Sequence, residues 1–227
     1  MRRSCGPGRI GRRISMNMRP RKYQLLNLLP DALVQTTGLR DGHTRYLTFD
    51  DGPDPTYTPP LLDLLAKHNV KASFFLVGQK VERQPKLVER ILAEGHMLGN
   101  HSYSHWSFKR MTTRKKLSEI HSTDALLSAF DGRLQHRMRP PHGYVGADLL
   151  CYFAMQRRSF VYWSYDSLDY QDRPTQEMIG RLRADPPLPG DIVLMHDDSS
   201  RAHDALSVML PEWLLEGHIF RALPQGA

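Results

Sequence analysis

Apolar and polar positions alternate along this chain with two different periods, and segments of the two periods follow one another in turn. Residues 72–77 form a continuous apolar run of strand length, whereas residues 85–94 carry apolar side chains at helical spacing, with a proline in the first turn and Gly95 just past the end. Residues 59–65 repeat the helical spacing behind Thr58, which is predicted to cap that helix. Further helices are predicted at 113–130, 147–157, 175–184 and 202–215, and further strands at 45–49, 97–100, 159–165, 191–195 and 218–222.

Alternation of strands and helices predicts an α/β fold in which helices cover a parallel sheet, either open and doubly wound or closed into a barrel. The periodicity itself does not separate these two forms. The candidate acids and histidines follow several different strands, which favours the rim of a barrel. The chain after the amino-terminal segment has about 180 residues, fewer than the roughly 250 residues of a typical eightfold barrel, so a smaller barrel is expected.

Composition indicates one domain with a basic tail. The 227 residues, 40% of them hydrophobic, suffice for one core. Of the 31 Lys and Arg, eight lie in residues 1–22, which contain no acid, and the remainder nearly balance the 24 Asp and Glu. The net charge of +7 therefore belongs to an amino-terminal leader and does not indicate a nucleic-acid-binding face on the domain. We expect this leader to be solvated and disordered; the alternative is that it contacts a membrane surface or a polyanion. Residues 1–40 are predicted as this leader plus a short helix, and 41–227 as the catalytic domain.

The amino-terminal segment also bears on location. A secretory signal needs an apolar run of about 7–15 residues behind its positive charges, and a membrane span needs roughly 18, and neither is present. We therefore expect a cytoplasmic protein without a transmembrane segment. Cys5 and Cys151 lack the spacing of a disulfide framework or a metal site, so both are expected to be free thiols.

Two carboxylates stand at the end of the strand predicted at 45–49. Asp50 and Asp51 follow this strand directly and precede the turn Gly52-Pro53. Adjacent like charges near a sheet are unfavourable unless a cation, a proton or an arginine compensates them, so the pair is a candidate site. An Asp-Asp pair alone is weak evidence, because a second one occurs at 197–198.

Two histidines provide the second candidate cluster. His101 and His105 lie four residues apart; if this segment is helical, they share one face and both imidazoles could hold one ion. Three later segments, 139–144, 163–170 and 192–197, each join charged residues to a strand or turn signal. Five such clusters in one order are unlikely to arise by chance.

Taken together, the five clusters resemble the motifs of the polysaccharide deacetylase family, the NodB homology domain of carbohydrate esterase family four. The resemblance extends from about Tyr46 to about Leu223, and the first motif, 48–53, matches without change. It implies a single-domain, distorted (β/α) barrel with fewer than eight regular strands. The chain length resembles that of the chitooligosaccharide deacetylases. The implied activity is metal-dependent removal of an acetyl group from an N-acetylated amino sugar.

The resemblance implies a metal site made by Asp51, His101 and His105. These side chains offer one oxygen and two nitrogens and leave a coordination position open for water. Zinc is the expected ion, although the ligand set accepts other divalent metals.

The resemblance also implies roles for four catalytic residues. Asp50 is the expected general base, oriented by Arg139, whose alternative role is an ordinary surface ion pair. His196 is the expected general acid, and Asp166 is the carboxylate expected to orient it. Asp197 and Asp198 are expected to be solvated turn residues, because adjacent side chains on an extended segment point apart.

Three further residues are expected to line the substrate site. The backbone N–H of His142 is the implied oxyanion donor, with Tyr170 as an aromatic wall and Leu194 as a further residue of the substrate site. Here the chain departs from the family pattern, which has tyrosine where His142 stands and tryptophan where Tyr170 stands. The first change leaves a backbone donor in place, and the second keeps a smaller aromatic wall.

Alternative functions remain open at this point. The same fold and metal chemistry could hydrolyse a small non-sugar amide such as a ureide, or an O-acetyl ester on a glycan. A degenerate domain that binds glycan without catalysis is a third possibility. The expected partner is an N-acetylated carbohydrate, and the oligomeric state does not follow from the sequence.

Overall fold

Parallel strands alternate with helices throughout the computed structural model, which describes residues 18–19 and 25–225. The strands are β1 (Val34–Gln35), β2 (Thr44–Asp50), β3 (Ser73–Leu76), β4 (Met97–Asn100), β5 (Phe160–Val161), β6 (Tyr165–Asp166), β7 (Ile192–His196) and β8 (Ile219–Phe220). The helices are α1 (Thr58–Lys67), α2 (Gly78–Arg83), α3 (Pro85–Ala93), α4 (Thr113–Asp131), α5 (Ala147–Met155), α6 (Thr175–Ala184) and α7 (Arg201–Leu215). Short 3-10 segments lie at Phe108–Arg110 and Pro141–Gly143.

The central sheet has the strand order β4-β3-β2-β7-β6, with β8 paired to β2, and all of these pairs are parallel. The strand β2 is buried along its whole length, as expected of a parallel strand with both faces covered. In its register with β7, Asp50 lies opposite His196. The carboxyl ends of these two strands therefore bring an acid and a histidine together.

The sheet curls back on itself through the segment 160–166. At the start of this segment, Phe160 forms a bridge with Met138, which in turn bridges to Asn100 at the end of β4. At its other end, β6 pairs with β7. One irregular segment thus links both edges of the central sheet, which gives a distorted barrel and confirms the predicted fold class.

The side chains of β2 alternate between two hydrophobic clusters. Leu47 and Phe49 pack into the cluster beneath helices α1, α3, α6 and α7, whereas Tyr46 belongs to a second cluster that fills the barrel interior. Since successive side chains of a strand point to opposite faces, Thr48 and Asp50 share the interior face with Tyr46. An acid at position 50 therefore enters a largely apolar interior, where it needs a partner.

Most predicted elements are confirmed to within a few residues. The strand at 97–100 and the helix at 175–184 have the predicted bounds. The strand expected at 159–165 is instead two short strands, β5 and β6. The prediction that Thr58 caps α1 is wrong, because Tyr57 occupies the cap position and Thr58 is the first helical residue.

The basic leader lies mostly outside the described residues, as does Cys5. Its described part, Met18 and Arg19, contradicts the expectation of a solvated segment. Met18 is 1% exposed and its carbonyl accepts a hydrogen bond from the Asp166 N–H at 2.7 Å, while Arg19 forms two hydrogen bonds with Asp191 at 2.9 and 2.8 Å. No strand or helix was predicted around Met18, so the sequence did not reveal this contact.

The division of the chain at residue 40 stays a prediction. Residues 25–26 are helical, and β1, which precedes residue 40, pairs with β5. Cys151 is a free, exposed thiol, as expected. Within the described part of the chain, no helix combines the length and the apolar character needed to cross a bilayer.

Candidate active site

The two acids of the first cluster point in different directions because the backbone turns between them. Asp50 ends β2 and is 3% exposed, whereas Asp51 adopts a left-handed φ of 76° and is partly exposed. The left-handed region is uncommon for residues other than glycine, so neighbouring contacts must hold Asp51 in it.

The structure brings Asp51 together with both predicted histidines. Its Oδ1 lies 3.3 Å from Nε2 of His101 and 3.0 Å from Nε2 of His105, and one donor atom from each residue lies within 4.8 Å of the others. The segment after β4 is a loop and not a helix, so the two histidines converge without sharing a helix face. Left-handed φ values of 66° at Ser102 and 58° at His105 turn this loop so that both rings face Asp51.

The loop that carries the histidines is fixed by hydrogen bonds behind the rings. Nδ1 of His101 lies 2.6 Å from the carbonyl oxygen of Arg139; because a carbonyl only accepts, Nδ1 carries the proton and Nε2 is free to face Asp51. Glu119 accepts hydrogen bonds from the Ser104 N–H and hydroxyl, both at 2.7 Å. The Asn100 side chain accepts from the Ser102 N–H at 2.9 Å.

These three side chains fit a divalent metal. Oδ1 of Asp51 is buried and has no hydrogen-bond partner, and a buried carboxylate oxygen in that state is suited to a cation. Burial by itself raises the pKa of Asp51, but the imidazoles of His101 and His105 outweigh it and lower that pKa below its ordinary value. Burial, reinforced by His101, lowers the pKa of His105 to about 4. Asp51 is therefore ionised and His105 neutral at pH 7, as metal ligands must be. Burial opposes the charged form of His101, but the carboxylates of Asp50 and Asp51 outweigh it and raise the pKa of this imidazole, so a cation would bind here with release of a proton from His101.

Asp50 is paired with an arginine inside the barrel. Nη1 of Arg139 donates to Oδ1 of Asp50 at 2.7 Å and to the hydroxyl oxygen of Thr48 at 2.8 Å, and the whole Arg139 residue has no exposed surface. Its guanidinium stacks over the ring of Phe75 at 4.2 Å from the centroid. This arrangement supplies the counter-charge that a buried carboxylate requires.

Removing this counter-charge should destabilise the fold. We expect Arg139→Met to lower the free energy of unfolding by about 3–5 kcal/mol, since it leaves Asp50 buried and uncompensated. Urea denaturation of the metal-stripped protein measures this change. The control is Arg183→Met, which removes a solvent-exposed pair with Glu212 and should alter stability little. An equally small decrease in the free energy of unfolding in both variants would contradict the assignment of Arg139 as the partner of Asp50.

His196 is oriented by Asp169, so the prediction that Asp166 does this is wrong. Oδ1 of Asp169 lies 2.8 Å from Nδ1 of His196, and its Oδ2 accepts the backbone N–H of His196 at 2.7 Å. Because the carboxylate accepts, Nδ1 carries a proton and Nε2 is left for other partners. Burial opposes the charged form of His196, but the bond to Asp169 outweighs it and raises the pKa of this imidazole to about 10.

Asp166 has a different place in the same loop. Its Oδ1 accepts the N–H of Leu168 at 3.0 Å, which makes a tight turn, and Leu168 has a left-handed φ of 60°. Burial raises the pKa of Asp166 to about 6. This turn carries Asp169 back toward β7. Both acids belong to one segment of four residues, 166–169, and no sequence signal distinguishes the residue that forms the turn from the residue that partners the histidine.

Asp197 also departs from its expected role. It was predicted to be a solvated turn residue, yet it is 1% exposed, its Oδ2 accepts the Thr58 hydroxyl at 2.5 Å, and burial raises its pKa to about 7. Asp198, in contrast, is exposed as expected. The two residues differ because the ladder between β2 and β7 continues one residue beyond His196, through a hydrogen bond from the Asp197 N–H to the Asp50 carbonyl at 3.2 Å.

A cavity of about 450 Å³ joins these groups at the carboxyl ends of the strands. Of the predicted site residues, all but Arg139, which lies behind Asp50, line it: Asp50, Asp51, His101, His105, His142, Asp166, Tyr170, Leu194 and His196. Five further lining residues were not among the predicted site residues: Gly143, Trp163, Asp198, Ser199 and Arg201. Asp169, the partner of His196, was also missed and lies behind that ring.

Aromatic rings flank the cavity on two sides. The exposed His142, with a left-handed φ of 55°, places its ring edge-on to His105 at a centroid distance of 5.0 Å. On the other side, the half-exposed Tyr170 stands edge-on to His196 at 5.7 Å. Leu194 contributes a buried apolar surface between them. The cavity thus combines a group of metal-type ligands, a buried carboxylate, an oriented imidazole and aromatic walls.

Comparison with known proteins gives a consistent result. A family model described as polysaccharide deacetylase matches residues 38–155. A peptidoglycan-N-acetylglucosamine deacetylase of Bacillus cereus is 36% identical over 186 residues, which cover 78% of this chain and 66% of that protein. A chitooligosaccharide deacetylase of Bradyrhizobium is 34% identical over 199 residues, covering 79% of this chain and 89% of the relative.

A solved structure extends the similarity to the fold. The crystal structure of a peptidoglycan N-acetylglucosamine deacetylase, in complex with 4-naphthalen-1-yl-N-oxidanyl-benzamide, superposes with a TM-score of 0.78 at 33% identity, covering 85% of this chain and 91% of that one. The family match spans more than half of the chain, and the fold and the arrangement of the cavity agree with it. This chain belongs to the polysaccharide deacetylase family.

Proposed function

We propose that this protein is a metal-dependent N-deacetylase that hydrolyses the acetamide of an N-acetylated amino sugar to acetate and a free amine. The observation that carries the proposal is the convergence of Asp51, His101 and His105 beside the buried Asp50, with His196 lining the same cavity. Both relatives are named as deacetylases of N-acetylated glycans, and these names support this class of substrate.

Asp51, His101 and His105 are the proposed metal ligands. One carboxylate and two imidazoles with an open position are typical of a catalytic zinc site, so zinc is the proposed ion, although the same donors accept other divalent metals. Such an ion polarises a carbonyl and lowers the pKa of a water molecule toward about 7.

Asp50 is the proposed general base. Its Oδ1 is held by Arg139, while its Oδ2 lies 3.7 Å from Nε2 of His101, on the side of the proposed ligands. A carboxylate fixed through one oxygen keeps the other oriented toward the cavity. Asp50 would take the proton of the water that attacks the acetyl carbonyl.

His196 is the proposed general acid. When the carbon–nitrogen bond breaks, the departing amine requires a proton, which Nε2 of His196 can donate. The bond from Nδ1 to Asp169 favours the protonated imidazole, so His196 is charged at pH 7 before the reaction. Asp50 thus removes the proton of the attacking water and His196 protonates the departing amine, and the overall reaction consumes one water.

The backbone N–H of His142 is the proposed donor to the oxyanion, with Leu194 beside the acetyl methyl group and Tyr170 against the sugar ring. All three line the cavity. The left-handed backbone φ of His142 sets the direction of its N–H, and its imidazole ring packs edge-on against His105. The departures from the family pattern at His142 and Tyr170 therefore alter the walls of the cavity more than its donors.

The substrate within this class is proposed from the relatives' names and the open cavity. Chitooligosaccharides and peptidoglycan glycan strands both present N-acetylglucosamine, which is the proposed occupant of the cavity. The cytoplasmic location predicted from the sequence remains a proposal, and fractionation of the native host with an antibody would test it. An O-acetyl ester or a small ureide would use the same groups, so these are the competing outcomes.

The test is a product assay with a panel of substrates. Purified protein with stoichiometric zinc is incubated with N-acetylglucosamine oligomers, peptidoglycan fragments, acetyl-xylan and allantoin, and acetate, ammonia and product masses are measured. We expect acetate and a mass loss of about 42 Da per sugar from an N-acetylated glycan, abolished by a chelator and restored by zinc. Turnover of the ureide with no acetate from any glycan, or activity that persists after metal removal, would overturn the proposal.

A further inference from the structure

We propose that Thr58 and Asp197 act as a buried clamp that positions Asp51 for metal binding. The clamp consists of the Thr58 hydroxyl and the Asp197 carboxylate, which meet at 2.5 Å beneath the turn that carries Asp51. Neither residue lines the cavity, so both are positioning residues. The proposal rests on the proposed metal site and adds to it the groups that hold its acidic ligand in place.

Asp197 joins the strand β7 to the end of β2. Its N–H donates to the carbonyl of Asp50 at 3.2 Å, which continues the parallel ladder one residue past His196. This hydrogen bond fixes the residue immediately before Asp51. It also places the Asp197 side chain under the turn, out of contact with solvent at 1% exposure.

Thr58 joins the other end of the turn to the same carboxylate. While its hydroxyl donates to Asp197, its Oγ1 accepts the N–H of Asp54 at 2.8 Å, and its own N–H donates to the Asp54 carbonyl at 3.0 Å. Thr58 is fully buried and begins α1. The segment between Asp51 and α1 is therefore anchored through one side chain.

Gly52 lies directly on the Asp197 carboxylate. A Cβ atom added at Gly52 would lie 2.2 Å from Oδ2 and 2.4 Å from Oδ1 of Asp197, closer than any side chain tolerates. On its other side, the Gly52 carbonyl accepts the Val77 N–H at 2.9 Å. Glycine is required at position 52 because the backbone itself packs against the acid.

These contacts hold both neighbours of Asp51. Asp50 is bonded through its carbonyl and Gly52 is confined between Asp197 and Val77, so the left-handed φ of 76° between them has little freedom to relax. Relaxation of that angle would swing the Asp51 carboxylate away from His101 and His105.

The experiment measures metal affinity of the full-length, chelator-stripped protein. Cobalt is titrated into the wild type and into Thr58→Val, Asp197→Ala and Asp197→Asn, with visible absorbance as the readout, and zinc affinity follows from competition. We expect Thr58→Val, which removes the hydroxyl at constant shape, to weaken cobalt binding about 10-fold, and Asp197→Ala up to about 100-fold, as for other residues that support metal ligands. Asp197→Asn, whose amide oxygen still accepts from Thr58, should recover most of the affinity.

Thr56→Val is the matched control, because Thr56 is exposed in the same loop and its backbone N–H, not its hydroxyl, donates to Oδ1 of Asp54. It should bind cobalt as the wild type does. Wild-type affinity in Thr58→Val and in folded Asp197→Ala, with only a lower melting temperature, would overturn the clamp while leaving the metal site intact. If Asp197→Ala does not fold, Thr58→Val decides. Failure of the wild type itself to bind cobalt or zinc would overturn the proposed function and the clamp together.

Discussion

Asp50→Asn should lower kcat for acetate release roughly 10²- to 10⁴-fold, the range that a general base contributes. The substitution keeps the size of the side chain, and an amide oxygen can still accept from Arg139, but the amide cannot take a proton from water. Metal affinity should change far less than kcat, because Asp50 is not one of the three proposed ligands. Steady-state kinetics on an N-acetylglucosamine oligomer and a zinc titration of the same preparation separate the two effects.

The control for this substitution is Asp63→Asn. Asp63 is an exposed acid on α1 whose ion pair with Arg90 lies on the surface, far from the chemistry. The kcat of Asp63→Asn should equal that of the wild type within experimental error. Activity of Asp50→Asn within tenfold of the wild type, with metal bound and the fold intact by circular dichroism, would exclude Asp50 as the base.

Asp169→Asn should lower kcat by about 10²-fold or more and move the alkaline limb of the pH–rate profile to lower pH. The Asp169 carboxylate favours the imidazolium form of His196 and contributes to a pKa of about 10. Removing that charge lowers the pKa of His196, so the protonated acid is lost at a lower pH than in the wild type. A bound divalent cation lowers this pKa in both proteins, and the sign of the difference between them is unchanged.

The matched variant is Asp166→Asn, which distinguishes the two aspartates of the loop. An asparagine at position 166 can still accept the Leu168 N–H, and Asp166 makes no hydrogen bond to His196 among the described contacts. Its alkaline limb should therefore move less than that of Asp169→Asn. An equal shift in both variants, or a shift in Asp166→Asn alone, would return the orienting role to Asp166.

The order of elements and the three residues of the candidate metal site were accessible from the sequence. Helical and strand periodicities are local properties, so residues 97–100 and 175–184 were predicted with their observed bounds. Asp51, His101 and His105 were singled out by their motifs, and the structure brings them together through a loop with left-handed residues at Ser102 and His105.

Contacts that depend on how the backbone turns were not accessible. Asp166 and Asp169 lie three residues apart, and a left-handed residue at Leu168 decides which of them faces His196. Asp197 and Asp198 are adjacent, yet one extra rung of the ladder with β2 buries the first and leaves the second in solvent. Met18 fills the core although it lies in a basic leader.

By itself, then, the sequence determined the fold class, the order of its elements and the chemical groups available for catalysis, because these follow from local periodicity and from side-chain type. Only the tertiary structure decided which acid partners which histidine, and which acid is buried beneath the proposed metal ligands. The physical reason is that such pairings join residues up to about 140 positions apart through a few backbone angles, such as φ at Asp51 and Leu168, whose values neighbouring strands impose.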